Sequence, residues 1–238
     1  MMTCNSNLWV TQRASGTHSR RAFFREVLAG AAAVATAGQT LNSGAAAQTA
    51  LSPDAALQQL IDGNARFAAG GLTSFQEDLG ILKAKTAEKQ EPFAAVLSCA
   101  DSRVPVELIF DQSIGHVFVT RVAGNIATSP MIASLEYGVA VLGTKAIMVL
   151  GHANCGAVKA SIEAKPVPGQ ISALYPYIRP AVELAGPDLE ATIKANAKMQ
   201  AALLRQSSPV LAEHIKQNQL KIVAAYYDLA SGRVTVLD

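Results

Sequence analysis

The sequence predicts an α/β fold: a mainly parallel β-sheet flanked by helices, with an antiparallel C-terminal strand. Three observations point there. Short runs rich in apolar and β-branched residues occupy 93–98, 116–122 and 145–152. Segments of helical character follow the second and third of them. The chain then closes with "LKIVAAYYDLASGRVTVLD", which reads as a strand, a Ser-Gly turn and a last strand. Apolar strands alternating with helices indicate a parallel sheet covered on both faces.

The elements can be justified in order. "SRRAFFR" (19–25) precedes an apolar stretch from Val27 to Ala37 and then small residues, including "AAA" at 45–47. A basic region, a short apolar region and a small-residue cleavage site read as an export signal over 1–47. The paired Arg20 and Arg21 before Phe23 and Phe24 give it twin-arginine character and place the mature protein in the periplasm or outside the cell. A disordered Ala-rich tail or an uncleaved anchor is the competing reading. The apolar stretch is about half the ~20 residues of a membrane span. "SPDAALQQLIDGNARFAAG" begins a helix with Ser52 as N-cap and Pro53 first. Leu57, Leu60, Ile61, Asn64 and Phe67 share one face of it. "SPMIASLEYGVAVLG" (129–143) predicts a helix capped by Ser129, and "GAVKASIEA" another after the third strand. A helical region from about 170 to 218 is broken by Pro180, Pro187 and Pro209.

Composition narrows the function. Half of the 238 residues are hydrophobic and only 16 % are charged, which suits one domain with a substantial core. Net charge is +2, and Arg13, Arg20, Arg21 and Arg25 lie in the export segment against Glu26 alone. The remainder is near neutral and has no basic stripe, which excludes nucleic acid as a partner. No membrane association is expected after signal cleavage. Cys4 lies in the signal, so the mature chain keeps Cys99 and Cys155. In an exported protein these two invite a disulfide.

The chemistry sits in "SCADSRVP", where the first strand ends, and "GHANCGAV", where the third ends. Ligands of parallel α/β sheets bind at the carboxyl ends of strands, so Cys99, His152 and Cys155 would share one edge. Two thiolates and an imidazole suit zinc, and three protein ligands leave a fourth position open, the pattern of catalytic sites. Asp101 and Arg103 follow Cys99 at once and offer a bidentate carboxylate–guanidinium pair. Gly151 and Gly156 would relieve crowding around the ligand loop. The helix from Gly156 would direct N–H groups at the site, which makes Gly156 a candidate substrate contact.

Together "CADSR" and "HANC", with "RVAGN" (121–125) and "SLEYGVAVLG" (134–143) between them, resemble the β-class carbonic anhydrases over 52–238. The resemblance implies a zinc enzyme that interconverts carbon dioxide and bicarbonate, with one Zn²⁺ per subunit held by Cys99, His152 and Cys155. It implies Asp101 and Arg103 as the catalytic dyad, and assembly as a homodimer or homotetramer. Gln90, Phe118 and Tyr137 fall where one branch of the family lines the substrate pocket, Phe118 serving the neighbouring subunit. Val96 stands where a related branch, with an Asp that moves onto the metal, carries Trp. Two thiolates cancel the charge of the metal, so activity is expected to rise into alkaline pH. Rival readings keep the scaffold with carbon disulfide or carbonyl sulfide as substrate, or make it a non-catalytic zinc-binding or bicarbonate-sensing module. A disulfide-stapled binding protein without metal is a third.

Overall fold

A computed structural model describes residues 49–74 and 79–237, so the segment 1–47 read as an export signal, with Cys4, lies outside the described residues. Helix α1 (Pro53–Ala68) starts as its sequence predicts: the Ser52 hydroxyl accepts the Ala55 N–H at 3.2 Å and Pro53 holds the first position. Leu60 and Asn64 are buried, and Leu57, Ile61 and Phe67 pack beside them on the core. Asn64 donates to the carbonyls of Ile109 and Gly232 and accepts the Val234 N–H, which ties α1 to the end of the chain.

Helix α2 (Leu79–Thr86) then leads to strand β1 (Ala94–Ser98), and the one-turn α3 (Val106–Ile109) to β2 (Val117–Arg121). A 3₁₀ turn, Ala123–Asn125, and helix α4 (Ser129–Ala140) connect β2 to β3 (Ala146–His152). Helix α5 (Gly156–Glu163), the 3₁₀ turn Ile171–Leu174 and helices α6 (Tyr175–Ala185), α7 (Leu189–Ser207) and α8 (Pro209–Lys216) follow. Strands β4 (Lys221–Tyr227) and β5 (Val234–Val236) close the sheet.

Two expectations change in detail, and two short helices are new. Helix α4 begins one residue early, with Thr128 rather than Ser129 at the cap. Pro180 does not break α6; Pro176 and Pro180 are both exposed, so water can serve the carbonyl that the missing N–H deprives. Neither α2 nor α3 is legible in the sequence, because eight and four residues are too few to establish a helical period.

The strand order is β2-β1-β3-β4-β5; the first four are parallel and β5 runs antiparallel to β4. Strands β1 and β3 are buried along their whole length, which is why they read as continuous apolar runs. Their alternate residues feed two cores. Ala94, Val96, Met148 and Leu150 face α1 and α3, while Ala95, Leu97, Ile147 and Val149 face α4, α7 and α8. The chain leaves β1 toward β2 on one side and returns as β3 on the other. A sheet whose order reverses in this way opens a crevice at the carboxyl ends of those strands, here after Ser98 and His152. Among the described residues no helix is long and apolar enough to cross a membrane.

Candidate metal centre

Cys99 follows β1 directly, His152 is the last residue of β3, and Cys155 is the N-cap of α5. The register pairs Ser98 with Leu150, so the two strands deliver their next residues to the same level. The ligand atoms of Cys99, His152 and Cys155 lie within 4.8 Å of one another, and all three residues are buried. Both cysteines are free thiols, which removes the disulfide reading.

The donor set fits a divalent metal. His152 points Nδ1 at the Ala153 carbonyl, 2.9 Å away, so that nitrogen carries the proton and Nε2 keeps its lone pair. Nε2 is buried without a hydrogen-bond partner, a costly state for a protein atom that metal coordination would resolve. The Cys99 thiol is pulled well below its ordinary range, first by a hydrogen bond from Cys155 and against its own burial, with help from the Gly124 amide. Cys155 is pushed far up by the same bond to Cys99 and by burial. A bound dication would take the place of the thiol protons. Ile126, Val158, Ile178 and Ile193 form the apolar wall behind the sulfurs.

Asp101 stands beside this cluster, Oδ2 being 3.9 Å from His152 Nε2. Arg103 grips it by the fork predicted from "DSR": Nε to Oδ1 at 2.9 Å and Nη2 to Oδ2 at 2.7 Å. The Arg103 backbone N–H adds a third bond to Oδ1. The Arg103 side-chain bonds, ahead of burial, hold the Asp101 carboxyl well below the usual carboxylate range. Arg103 Nη2 also donates to the Asn154 carbonyl at 3.2 Å, linking the two motifs. Asn154 adopts φ 54°, which lets the loop turn between His152 and Cys155.

The pocket residues of the resemblance lie elsewhere in the same chain. Gln90 precedes β1 and Cys99 follows it, so a five-residue strand at about 3.3 Å per residue separates them. Gln90 and Tyr137 instead line a cleft of about 560 Å³ with Thr86, Lys89, Val141 and Leu142. The Phe118 ring sits 6.4 Å from that of Tyr137. Gly156 faces open space, so the expected relief of crowding does not apply to it. Gly151 does carry that role, toward α7: a Cβ there would meet Ile193 Cγ2 at 3.0 Å. Away from the cluster, His116 is exposed and His214 is half-buried with Nδ1 on the Val210 carbonyl.

Sequence reasoning missed three supports. Arg121, at the end of β2, donates to the Cys99 carbonyl at 2.9 Å and the Asp101 carbonyl at 2.6 Å. Gly124, at φ 78°, donates its N–H to Cys99 Sγ at 3.3 Å; a Cβ there would meet Ile178 Cδ1 at 2.8 Å. Asn196 and Gln200 of α7 hold the segment that carries Gly124. Their signal was present, since an amide pair four apart interrupts an otherwise apolar stripe of Ile193, Ala197, Ala201 and Leu204.

Comparison with known proteins gives a consistent result. The family model described as carbonic anhydrase matches residues 94–234. The chain is 37 % identical over 194 residues to a carbonic anhydrase of Mycolicibacterium smegmatis, covering 76 % of this chain and 92 % of that protein. It is 35 % identical over 200 residues to carbonic anhydrase 2 of Mycobacterium tuberculosis, covering 78 % and 93 %. Among solved structures, the β-carbonic anhydrase CafA of Aspergillus fumigatus superposes with a TM-score of 0.62 at 26 % identity, covering 76 % of this chain and 90 % of that one. The Coccomyxa β-carbonic anhydrase solved with acetazolamide gives 0.60 at 28 % identity, covering 76 % and 86 %. Motifs, sheet order and relatives converge: the chain belongs to the β-class carbonic anhydrases, zinc enzymes that catalyse the reversible hydration of carbon dioxide to bicarbonate and a proton.

Proposed function

We propose that Cys99, His152 and Cys155 hold the zinc and that Asp101, held by Arg103, is the catalytic carboxylate. The buried, unpartnered Nε2 of His152 between two thiols and a carboxylate carries this reading. When bound, zinc supplies a hydroxide nucleophile near neutral pH by acidifying water. Asp101 is ionised and can only accept, so it would take a hydrogen bond from that nucleophile and leave its lone pair turned toward carbon dioxide. Arg103 fixes the carboxylate plane and keeps Oδ1 occupied, so that Oδ2, with one Arg103 bond, keeps capacity on the side of His152. The apolar wall of Ile126, Val158 and Ile178 closes the site off from water behind the two sulfurs. The dyad favours this chemistry over a sensing module, which has no use for an oriented nucleophile. Zinc analysis and a hydration assay on Cys155→Ala test it: loss of both is expected, and retained activity would refute the ligand set.

The Gln90, Phe118 and Tyr137 face is read as the partner contact of a homodimer or homotetramer. Tyr137 and Val141 are each 48 % exposed, beside a cleft too far from the metal ligands of its own chain. A second copy seated there would bring its metal edge to these side chains. Tyr137→Glu should yield a monomer that retains zinc and loses activity; an active monomer would overturn the shared pocket.

Export by the twin-arginine route to the periplasm or beyond is the reading of residues 1–47. That route carries folded proteins, so zinc would occupy the thiols before they meet an oxidising compartment. Fractionation of cells expressing the chain with Arg20 and Arg21 replaced by Lys tests it, with retention in the cytoplasm as the expected outcome.

A further inference from the structure

Helix α7 buries two amides, Asn196 with no exposed surface and Gln200 with 3 %. Burying an amide is costly unless each polar atom finds a partner. Here all four do. Asn196 Nδ2 donates to the Gly124 carbonyl at 2.9 Å, and its Oδ1 accepts from Gln200 Nε2 at 3.1 Å. Gln200 Nε2 also reaches the Tyr177 carbonyl at 3.0 Å, and its Oε1 accepts the Ala127 N–H at 2.9 Å. The pair therefore grips the 124–127 segment at both ends and ties it to α6. Gly124 is closed in further, since Ile178 and Ala157 occupy the space its missing Cβ would take. Held in this way, the Gly124 N–H meets Cys99 Sγ at 3.3 Å.

We infer that Asn196 and Gln200 are positioning residues for the metal centre: they fix the Gly124 peptide so that its N–H hydrogen-bonds the Cys99 thiolate and thereby tune that sulfur as a zinc donor. The inference rests on Cys99 as a ligand. A hydrogen bond to a thiolate lowers the energy of its lone pairs and holds the sulfur where the metal needs it. Partners that orient a ligand in this way typically contribute ten- to a hundredfold in metal affinity. Purely structural glue would stabilise α7 on the sheet without reaching the sulfur electrons, and this difference is measurable.

The test uses the zinc-loaded enzyme and its cobalt-substituted form, with Asn196→Leu, the isosteric Asn196→Asp, and Thr192→Val as control. Thr192 is also buried on α7, but its hydroxyl bonds only the Gly186 carbonyl. Both Asn196 variants should pass zinc to a chromophoric chelator about tenfold faster than wild type. In the cobalt form their sulfur-to-metal charge-transfer band should move to lower energy, because the thiolate lone pairs rise when the N–H bond is lost. Thr192→Val, at a comparable loss of melting temperature, should change neither. Should Asn196→Leu fail to fold, Asn196→Asp decides the matter, since it keeps the shape and sets a carboxylate oxygen against the Gly124 carbonyl in place of the NH₂ donor. A folded Asn196→Asp with the wild-type band and transfer rate would overturn the inference, as would a Thr192→Val that shifts the band equally. Wild-type protein that binds no zinc would overturn the ligand set itself, a separate and recognisable failure.

Discussion

The aspartates of two Asp–Arg pairs lie ten residues apart in this chain and do different work. Asp111 is fully buried, and Arg66 reaches it at 2.6 Å. The Thr73 hydroxyl and the N–H groups of Thr73 and Ser74 complete its shell, while the Ser74 hydroxyl bonds its carbonyl. Asp101 is 18 % exposed, its side-chain bonds come from Arg103 alone, and Arg103 is 51 % exposed. Both carboxyls are held low, Asp111 to about 2, where Arg66, Ser74 and Thr73 overcome a burial that pushes the other way. Depressed acidity therefore does not distinguish a catalytic carboxylate from a clasp. What distinguishes them is spare capacity and position: Asp111 has spent its lone pairs on the 73–74 turn, whereas Asp101 keeps Oδ2 beside His152.

The largest effect that would break this contrast belongs to Asp101→Asn. The neutral amide cannot serve only as an acceptor, and activity should fall by about 10³, roughly 4 kcal/mol in the barrier. Stability should change by less than about 1 kcal/mol, because the pair is open to solvent. Stopped-flow hydration and urea unfolding on one preparation check both. Asp111→Asn should do the reverse. It leaves Arg66 without its charge partner and puts an NH₂ where donors already converge, at a cost of about 3 kcal/mol in unfolding free energy. Activity per folded molecule should stay at the wild-type level. An Asp111→Asn enzyme that folds normally but turns over slowly would erase the distinction.

Acid sharpens the same comparison. The folded carboxyl of Asp111 titrates near 2 against an ordinary 3.8. A lowered folded value means the stabilisation is fully present above the unfolded value and fades as pH falls through the folded one. Between pH 4 and 2 the wild type should lose about 2 kcal/mol that Asp111→Asn has already lost. The gap between their unfolding midpoints should narrow over that window. Zinc release in acid affects both proteins and cancels in the difference. A gap that stays constant would show that the Asp111 carboxylate contributes nothing by being charged.

These two pairs also show what a sequence can and cannot disclose. Asp101 was legible because its partners are local: Arg103 is two residues on, and Cys99 of the candidate metal centre two residues back. The strands that carry Cys99 and His152 were legible because burial on both faces leaves continuous apolar runs. Asp111 was silent. Its partners lie 45, 38 and 37 positions away, and no period or turn links "FDQS" to Arg66 or to Thr73 and Ser74. Arg121 and Gly124 were quoted only as parts of a resembling segment, since nothing local shows that a guanidinium will span two carbonyls of another loop. Gln90, Phe118 and Tyr137 came from the resemblance alone. The fold puts Gln90 and Tyr137 on a cleft of their own with Phe118 against the Tyr137 ring, because residues before a strand and after it emerge at opposite ends of the sheet.

The smallest expected effect is the most discriminating, because it asks what the guanidinium adds beyond its charge. Lys at position 103 keeps the positive charge and the backbone N–H bond to Oδ1, but it offers a point donor in place of a planar fork. It cannot bond both carboxylate oxygens and the Asn154 carbonyl together, as Arg103 does. The carboxylate would stay ionised and lose its fixed plane, so Arg103→Lys should cost about tenfold in kcat/KM, near 1.4 kcal/mol. Arg66→Lys, by contrast, leaves Thr73 and Ser74 in place to hold Asp111 and should leave kcat/KM untouched. Should Arg103→Lys lose as much as Asp101→Asn, Arg103 would have to act on the substrate itself rather than through the carboxylate, and orientation of Asp101 would no longer explain the dyad.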